Sequence, residues 1–189
     1  MSREEEHVVE ALVALCVQLK VTCVVQVGAE DGYEANAILL ETGCRAVCID
    51  PDPKCRPVSP DLEFHEVVIG AKNSVTDFYI HHERGLSGQL RRGDGNEITL
   101  TMPQVQLWTF CQNHGIVPDA LIIDTEGTTL DVLAGAGELL ESVNMVYAEC
   151  QTYNVKAIDT VLSAFGLVQR AGLPSYDCGS QGNYTWVRP

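Results

Sequence analysis

Four short apolar runs constrain this chain most: residues 21–27 (VTCVVQV), 46–49 (AVCI), 120–123 (ALII) and 145–148 (MVYA). Each stops at a glycine or an acid, namely Gly28, Asp50, Asp124 and Glu149. Apolar residues at consecutive rather than alternate positions mark strands buried on both faces, as in a parallel sheet. Helical patterns alternate with them at residues 4–20, 33–41, 105–114, 128–142 and 155–165, with Gly43 and Gly115 as stops. The first of these opens on acids and closes on Lys20, as the helix dipole prefers. Residues 62–69 read as a third strand, and 76–81 and 98–102 as shorter ones flanking a polar, Gly-rich stretch. Residues 167–171 and 184–188 close the chain as late strands. Strands alternating with helices predict an α/β fold with helices on both faces of a parallel sheet. Neither a repeat nor a linker divides residues 1–189, so one domain is expected, with a helix over 1–20 and a lid or substrate loop over 81–97.

The chain has 189 residues, enough for one sizeable core. Twelve basic residues stand against 26 acidic ones, a formal charge of −14. A surface that acidic repels phosphate backbones and anionic lipid, which argues against nucleic-acid and membrane partners and favours solubility. No apolar run approaches the roughly 20 residues a spanning helix needs. The start, Met1-Ser2-Arg3-Glu4-Glu5-Glu6, is acidic where a secretory signal is basic. Eight cysteines form no C-x-x-C, and Cys44, Cys48 and Cys55 lack zinc spacing. Cys16, Cys23, Cys48 and Cys150 sit among aliphatic residues, where a thiol acts as a small hydrophobe. A reduced, cytoplasmic protein is expected, and a homodimer is left open.

In an open parallel sheet, ligands bind beyond the carboxyl ends of the strands. After the first strand, Gly28-Ala29-Glu30-Asp31-Gly32 lets the backbone turn tightly, with a helix N-terminus behind it. The spacing is not G-x-G-x-x-G, and Glu30 and Asp31 would repel a pyrophosphate. An ammonium or an uncharged sugar suits the turn better. Asp50, followed by Pro51, lies about 20 residues on, where an acid accepts hydrogen bonds from ribose hydroxyls. Asp124, Glu126 and Glu149 would converge at the same sheet edge. They could deprotonate a hydroxyl, orient a substrate or hold a divalent cation. Asp124 or Thr125 would also serve as a helix N-cap.

Five stretches in this order carry a family resemblance: VVQVGAEDGYEANAI, VCIDPDP, LEFHEVVIGAKN, PDALIIDTEGTTLDVLAGAGELL and MVYAE. The chain resembles the FkbM-type S-adenosylmethionine-dependent methyltransferases, a branch of the class I methyltransferase fold, over about residues 20–189. The D-x-E-G pattern followed by an L-x-G-A helix is its most specific element. The resemblance implies a mostly parallel seven-stranded sheet with an antiparallel C-terminal strand and helices on both faces. It implies S-adenosylmethionine as cofactor, with Gly28, Ala29, Glu30, Asp31 and Gly32 at the methionine part. Asp50 and Pro51 would meet the ribose, Val67 and Val68 the adenine, and Ser87 matches a serine of the family's loop. Two positions depart from the pattern. Gln26 stands where the family has an acid, and its carbonyl can still accept from the cofactor's ammonium. Ile122 stands where the family often has lysine.

Methyl transfer is an in-line displacement, and a hydroxyl nucleophile must also lose its proton. Asp124, Glu126 and Glu149 are the carboxylate candidates, with Glu126 favoured for substrate contact. His81 and His82 could fold over the site from the strand-to-loop segment, and no residue is assigned as a metal ligand. The reading is an O-methyltransferase acting on a small-molecule hydroxyl. Two alternatives remain: a binding protein without catalysis, motivated by Gln26 and Ile122, and a nucleotide-dependent oxidoreductase.

Overall fold

The structure is a computed structural model and describes residues 3–82, 87–90, 97–170 and 181–189. Helix α1 (Arg3–Leu19) leads into β1 (Cys23–Val27), α2 (Tyr33–Thr42) and β2 (Arg45–Ile49). Two short strands, β3 (Glu63–His65) and β4 (Val68–Ile69), precede a long hairpin of β5 (Ser74–His81) and β6 (Glu97–Val105). Then follow α3 (Leu107–His114), β7 (Ala120–Ile123), α4 (Thr129–Ala136), a 3₁₀ turn over Gly137–Glu141, and β8 (Met145–Gln151). The chain closes with α5 (Val155–Ala164), β9 (Val168–Gln169) and β10 (Gln181–Val187).

The main sheet runs β3-β2-β1-β7-β8-β10-β9. β3, β2, β1, β7 and β8 are mutually parallel, and β10 is antiparallel to both its neighbours. Strand parity splits the core. Val25, Val27, Leu121 and Ile123 face the layer containing α3, α4 and α5. Val24, Ala46, Ala120 and Ile122 face α1 and α2. Gln26 shares the parity of Val24 and so points toward α2, a fact the site depends on.

Four expectations change in detail. The strand expected over 62–69 is two strands, because the chain leaves the main sheet after His65 and Val68–Ile69 pairs with β6 instead. The strands expected over 76–81 and 98–102 are longer and form, with β4, a separate three-stranded sheet. The helix expected over 128–142 breaks at Gly137, whose backbone adopts φ 51°, ψ −130°. The late strand expected over 167–171 is two residues long here, and residue 171 lies outside the described residues.

No helix among the described residues is long and apolar enough to cross a membrane. The seven described cysteines are buried free thiols. Burial pushes Cys16, Cys48, Cys111 and Cys150 up to about 12, so these are packing groups rather than nucleophiles.

α4 approaches the start of the small sheet closely because Gly135 carries no side chain. A Cβ there would lie 2.1 Å from the Gly70 carbonyl oxygen. Gly135→Ala should therefore destabilise the fold by about 2–3 kcal/mol, despite alanine's better helix propensity. Urea unfolding measures this, and a variant as stable as wild type would show that α4 can back away at no cost.

Candidate active site

The carboxyl ends of β1, β2, β7 and β8 meet at one edge of the main sheet. The loop after β1 turns at Gly28 (φ 74°), where a Cβ would sit 1.6 Å from the Asp124 carbonyl oxygen. No other residue allows the two strand ends so near each other. Glu30 and Glu126, in the loops after β1 and β7, both hold left-handed backbones at φ 50°. Such conformations cost energy in non-glycine residues and gather where a loop is shaped for a ligand.

Asp50, after β2, braces the first loop. One carboxylate oxygen accepts the Glu30 amide at 2.8 Å and the other accepts the Asp52 amide at 2.8 Å. Burial pushes its pKa up, and the two amides only partly offset this. Asp52 accepts the Lys54 amide at 2.9 Å and the Ser87 hydroxyl at 2.6 Å. Ser87 Oγ also accepts the His81 amide at 3.0 Å. Gly88 pairs its backbone with Tyr79 in both directions. These bonds hold residues 87–89 over the loop that follows β2.

Between these loops lies a cleft in two halves that share Gly28, Glu30 and Asp124. The first half combines Asp50 and Asp52 with apolar Ile49, Val67, Val68 and Phe78. Carboxylates beside a hydrophobic slot suit a nucleoside, with hydroxyls at one end and a flat base at the other. The Thr125 hydroxyl lines this half and is buried without a partner. The second half is lined by Glu30, Asp31, Glu34, Asp124 and Glu149, with Tyr33, Tyr147 and Asn183 as uncharged donors.

Asp124, Glu126 and Glu149 each place an oxygen within 4.8 Å of the others. Asp124 lines both halves of the cleft and is open to solvent there. Desolvation of its carboxyl among the cleft groups, reinforced by the charges of Glu149, Glu126 and Glu34, holds its pKa above the usual range. Burial and the charges of Glu34, Asp124 and Glu149 also push the Tyr147 phenol up. Such a cluster can share a proton, accept one from a hydroxyl, or take a hard cation through oxygen.

Gln26 is buried and occupied at both ends. Its carbonyl oxygen accepts the Ala35 amide at 3.1 Å, and its amide nitrogen donates to Glu34 Oε2 at 2.8 Å. The first-turn N–H of α2 is thereby satisfied, and the Glu34 carboxylate is held at the cleft wall.

The model of the methyltransferase FkbM domain matches residues 26–169. The chain belongs to the FkbM methyltransferase family. It is also similar to the 2-O-methyltransferase NoeI of Sinorhizobium fredii (strain NBRC 101917 / NGR234). The two are 27% identical over 179 residues, covering 77% of this chain and 72% of that protein. Among solved structures, the methyltransferase domain of bacterial CtHen1-CN superposes with a TM-score of 0.55 at 9% identity, covering 98% of this chain and all of that one. The S-adenosylmethionine-dependent methyltransferase of Agrobacterium tumefaciens gives 0.54 at 8% identity, covering all of this chain and 63% of that one. These likenesses show the class I methyltransferase fold, and S-adenosylmethionine is the cofactor the family implies. The residues present fit it, since Asp50 and the apolar slot suit adenosine and the acidic half suits a cationic amino-acid tail.

In this FkbM methyltransferase, Gly28, Ala29, Glu30, Asp31, Asp50, Pro51, Val67, Val68, Ser87, Asp124, Glu126 and Glu149 all line the cleft. Gly32 does not. It begins α2 and packs against Cys48 and Leu62. His81 is buried at the end of β5 in the small sheet, and exposed His82 stacks against it at 4.7 Å between ring centroids. Neither ring is among the residues that line the cleft, although the His81 amide is tied to it through Ser87. Of the expected lid over 81–97, residues 83–86 and 91–96 lie outside the described residues. Gln26 lines the cleft, but the oxygen expected for an ammonium is held by Ala35. Asp124 is not a helix cap, since α4 is capped at Thr128. Ile122 is core between β7 and the α1–α2 layer. Sequence reasoning missed Glu34, Asp52 and Tyr147. Glu34's position directly after the glycine turn was the one available signal.

Proposed function

We propose that this FkbM methyltransferase transfers a methyl group from S-adenosylmethionine to a hydroxyl oxygen of a small metabolite or sugar. The observation that carries this reading is the convergence of Asp124, Glu126 and Glu149 where the two half-clefts meet. When bound, the cofactor supplies an electrophilic methyl group on a sulfonium. The protein's own contribution is to place a hydroxyl in line with that methyl and to take its proton. In this reading Asp124 and Glu149 hold and exchange the proton, and Glu126, on its left-handed loop, hydrogen-bonds the acceptor. The similarity to NoeI, a 2-O-methyltransferase, supports oxygen as the methylated atom. The chain's charge of −14 favours a neutral acceptor over a polyanion.

Glu34 supplies the counter-charge for the cofactor's ammonium that Gln26 cannot. The negative field of that half-cleft attracts the sulfonium as well. This removes the motive for reading the chain as inactive, since the charge has moved from β1 to α2. The family match leaves the oxidoreductase reading without support.

The test is calorimetric titration with S-adenosylhomocysteine, followed by incubation with S-adenosylmethionine and a panel of hydroxylated acceptors. Asp50→Asn should weaken S-adenosylhomocysteine binding by about 10–100-fold, the worth of charged hydrogen bonds to two ribose hydroxyls. The expected product is a base-stable methyl ether. A base-labile ester or a methylated amine would sink the hydroxyl assignment. No binding by folded wild type would sink the whole reading.

A further inference from the structure

We propose that Glu63, His65 and His114 form a binding site for a divalent transition-metal ion, zinc by its chemistry, outside the methyl-transfer cleft. These residues come from the edge strand β3 and the last turn of α3, far apart in sequence. Each offers a ligand atom within 4.8 Å of the other two. Two imidazoles and a carboxylate are a donor set that zinc accepts, with bonds of about 2.0–2.2 Å and water completing the shell. His65 Nε2 and Glu63 Oε1 already lie 3.0 Å apart, the edge that two adjacent ligands of such a shell span. His114, the last residue of α3, is exposed, so an ion reaches its ring directly from solvent.

The surroundings prepare the three side chains. Arg45 donates through Nη2 and Nε to the other oxygen of Glu63 at 2.7 and 3.0 Å, leaving Oε1 turned toward the histidines. Arg45 Nη1 also donates to the Gly115 carbonyl at 3.1 Å, which ties the end of α3 to the same guanidinium. Phe110 packs against both imidazoles, its centroid 5.0 Å from His65 and 4.5 Å from His114. Hydrogen-bonded carboxylates and packed histidines are what orient ligands around a metal. A cavity lined by His65, Glu66, Val67, Asn113 and His114 opens beside them and gives solvent a way to the remaining coordination positions. A bound ion would pin the sheet edge to α3 two residues before Val67, which walls the nucleoside half of the cleft.

The experiment takes tag-free full-length protein stripped with a chelator and titrates zinc against a chromophoric competitor. Cobalt(II) absorption reports the ligand type. One equivalent should bind, with cobalt bands typical of nitrogen and oxygen ligands and no thiolate charge-transfer band. His114→Ala and His65→Gln should each weaken zinc by at least about tenfold. Glu149→Gln should leave this equivalent in place, which separates it from the carboxylates of the cleft. His114 is exposed, so its variant is expected to fold, and a melting curve checks it. Zinc binding that survives both histidine variants, or a thiolate band, would overturn the proposal. So would failure of stripped wild type to compete with the indicator.

Discussion

Glu34→Gln is expected to weaken S-adenosylhomocysteine about 10–100-fold while changing 5′-methylthioadenosine binding by less than about twofold. The two ligands share the adenosine half and differ in the amino-acid tail, so the comparison isolates the acidic half of the cleft. Glu34 lines that half and is held there by the Gln26 amide at 2.8 Å. Exchanging the pair restores the charge in the other order. In the double variant Gln26→Glu/Glu34→Gln, the carboxylate introduced on β1 still accepts from the Ala35 amide, and the side-chain amide introduced on α2 donates to it. This variant should recover most of the lost affinity. Equal weakening of both ligands by Glu34→Gln would mean the residue only supports the loop. No weakening of either would pass the ammonium to Asp124 or Glu149.

Asp124→Asn is expected to lower kcat by about 10²–10⁴-fold and yet raise thermal stability. The wild-type carboxyl is crowded by Glu149, Glu126 and Glu34, and its pKa is raised above the aspartate value of 3.8. A carboxyl with a raised folded pKa contributes stability while protonated, below the ordinary aspartate range. That contribution is lost as pH climbs through the folded value. Wild-type stability should therefore fall across that interval, and the neutral amide should abolish the fall. Because water reaches the group through the cleft, a gain of about 1 kcal/mol, or 2–4 °C, is the scale at mildly alkaline pH. The gap should close in acid. Turnover should rise with pH as Asp124, whose pKa is raised, loses its proton, and the variant should lack that limb. A kcat within tenfold of wild type, with the same pH profile, would remove Asp124 from proton transfer.

Much of the site could be read from the chain because it sits at strand ends. Asp50, Asp124 and Glu149 follow continuous apolar runs, and a parallel sheet brings all such ends to one edge. Gly28 was legible for a related reason, since a turn directly after a buried strand has room for little else. His81 also ends a strand, but only its backbone amide is tied to the cleft, through Ser87, and a strand-end pattern does not reveal which way the ring turns. Gln26 lines the cleft as well, but its parity turns it toward α2, where the Ala35 amide takes one lone pair of its oxygen, and that pairing is not visible in the sequence.

What the sequence by itself determined is the alternation of strands and helices, the five blocks of the FkbM pattern and the row of acids after the strands. These are local properties, set by period, turn residues and order along the chain. Only the tertiary structure decided that the Gln26 amide holds Glu34 at the cleft wall, that three other carboxylates lie near Asp124, and that Glu63, His65 and His114 meet. Each depends on contacts between elements far apart in the chain, or on which face of a strand a residue occupies. A one-residue change of parity would reverse that face while leaving the composition of the run untouched.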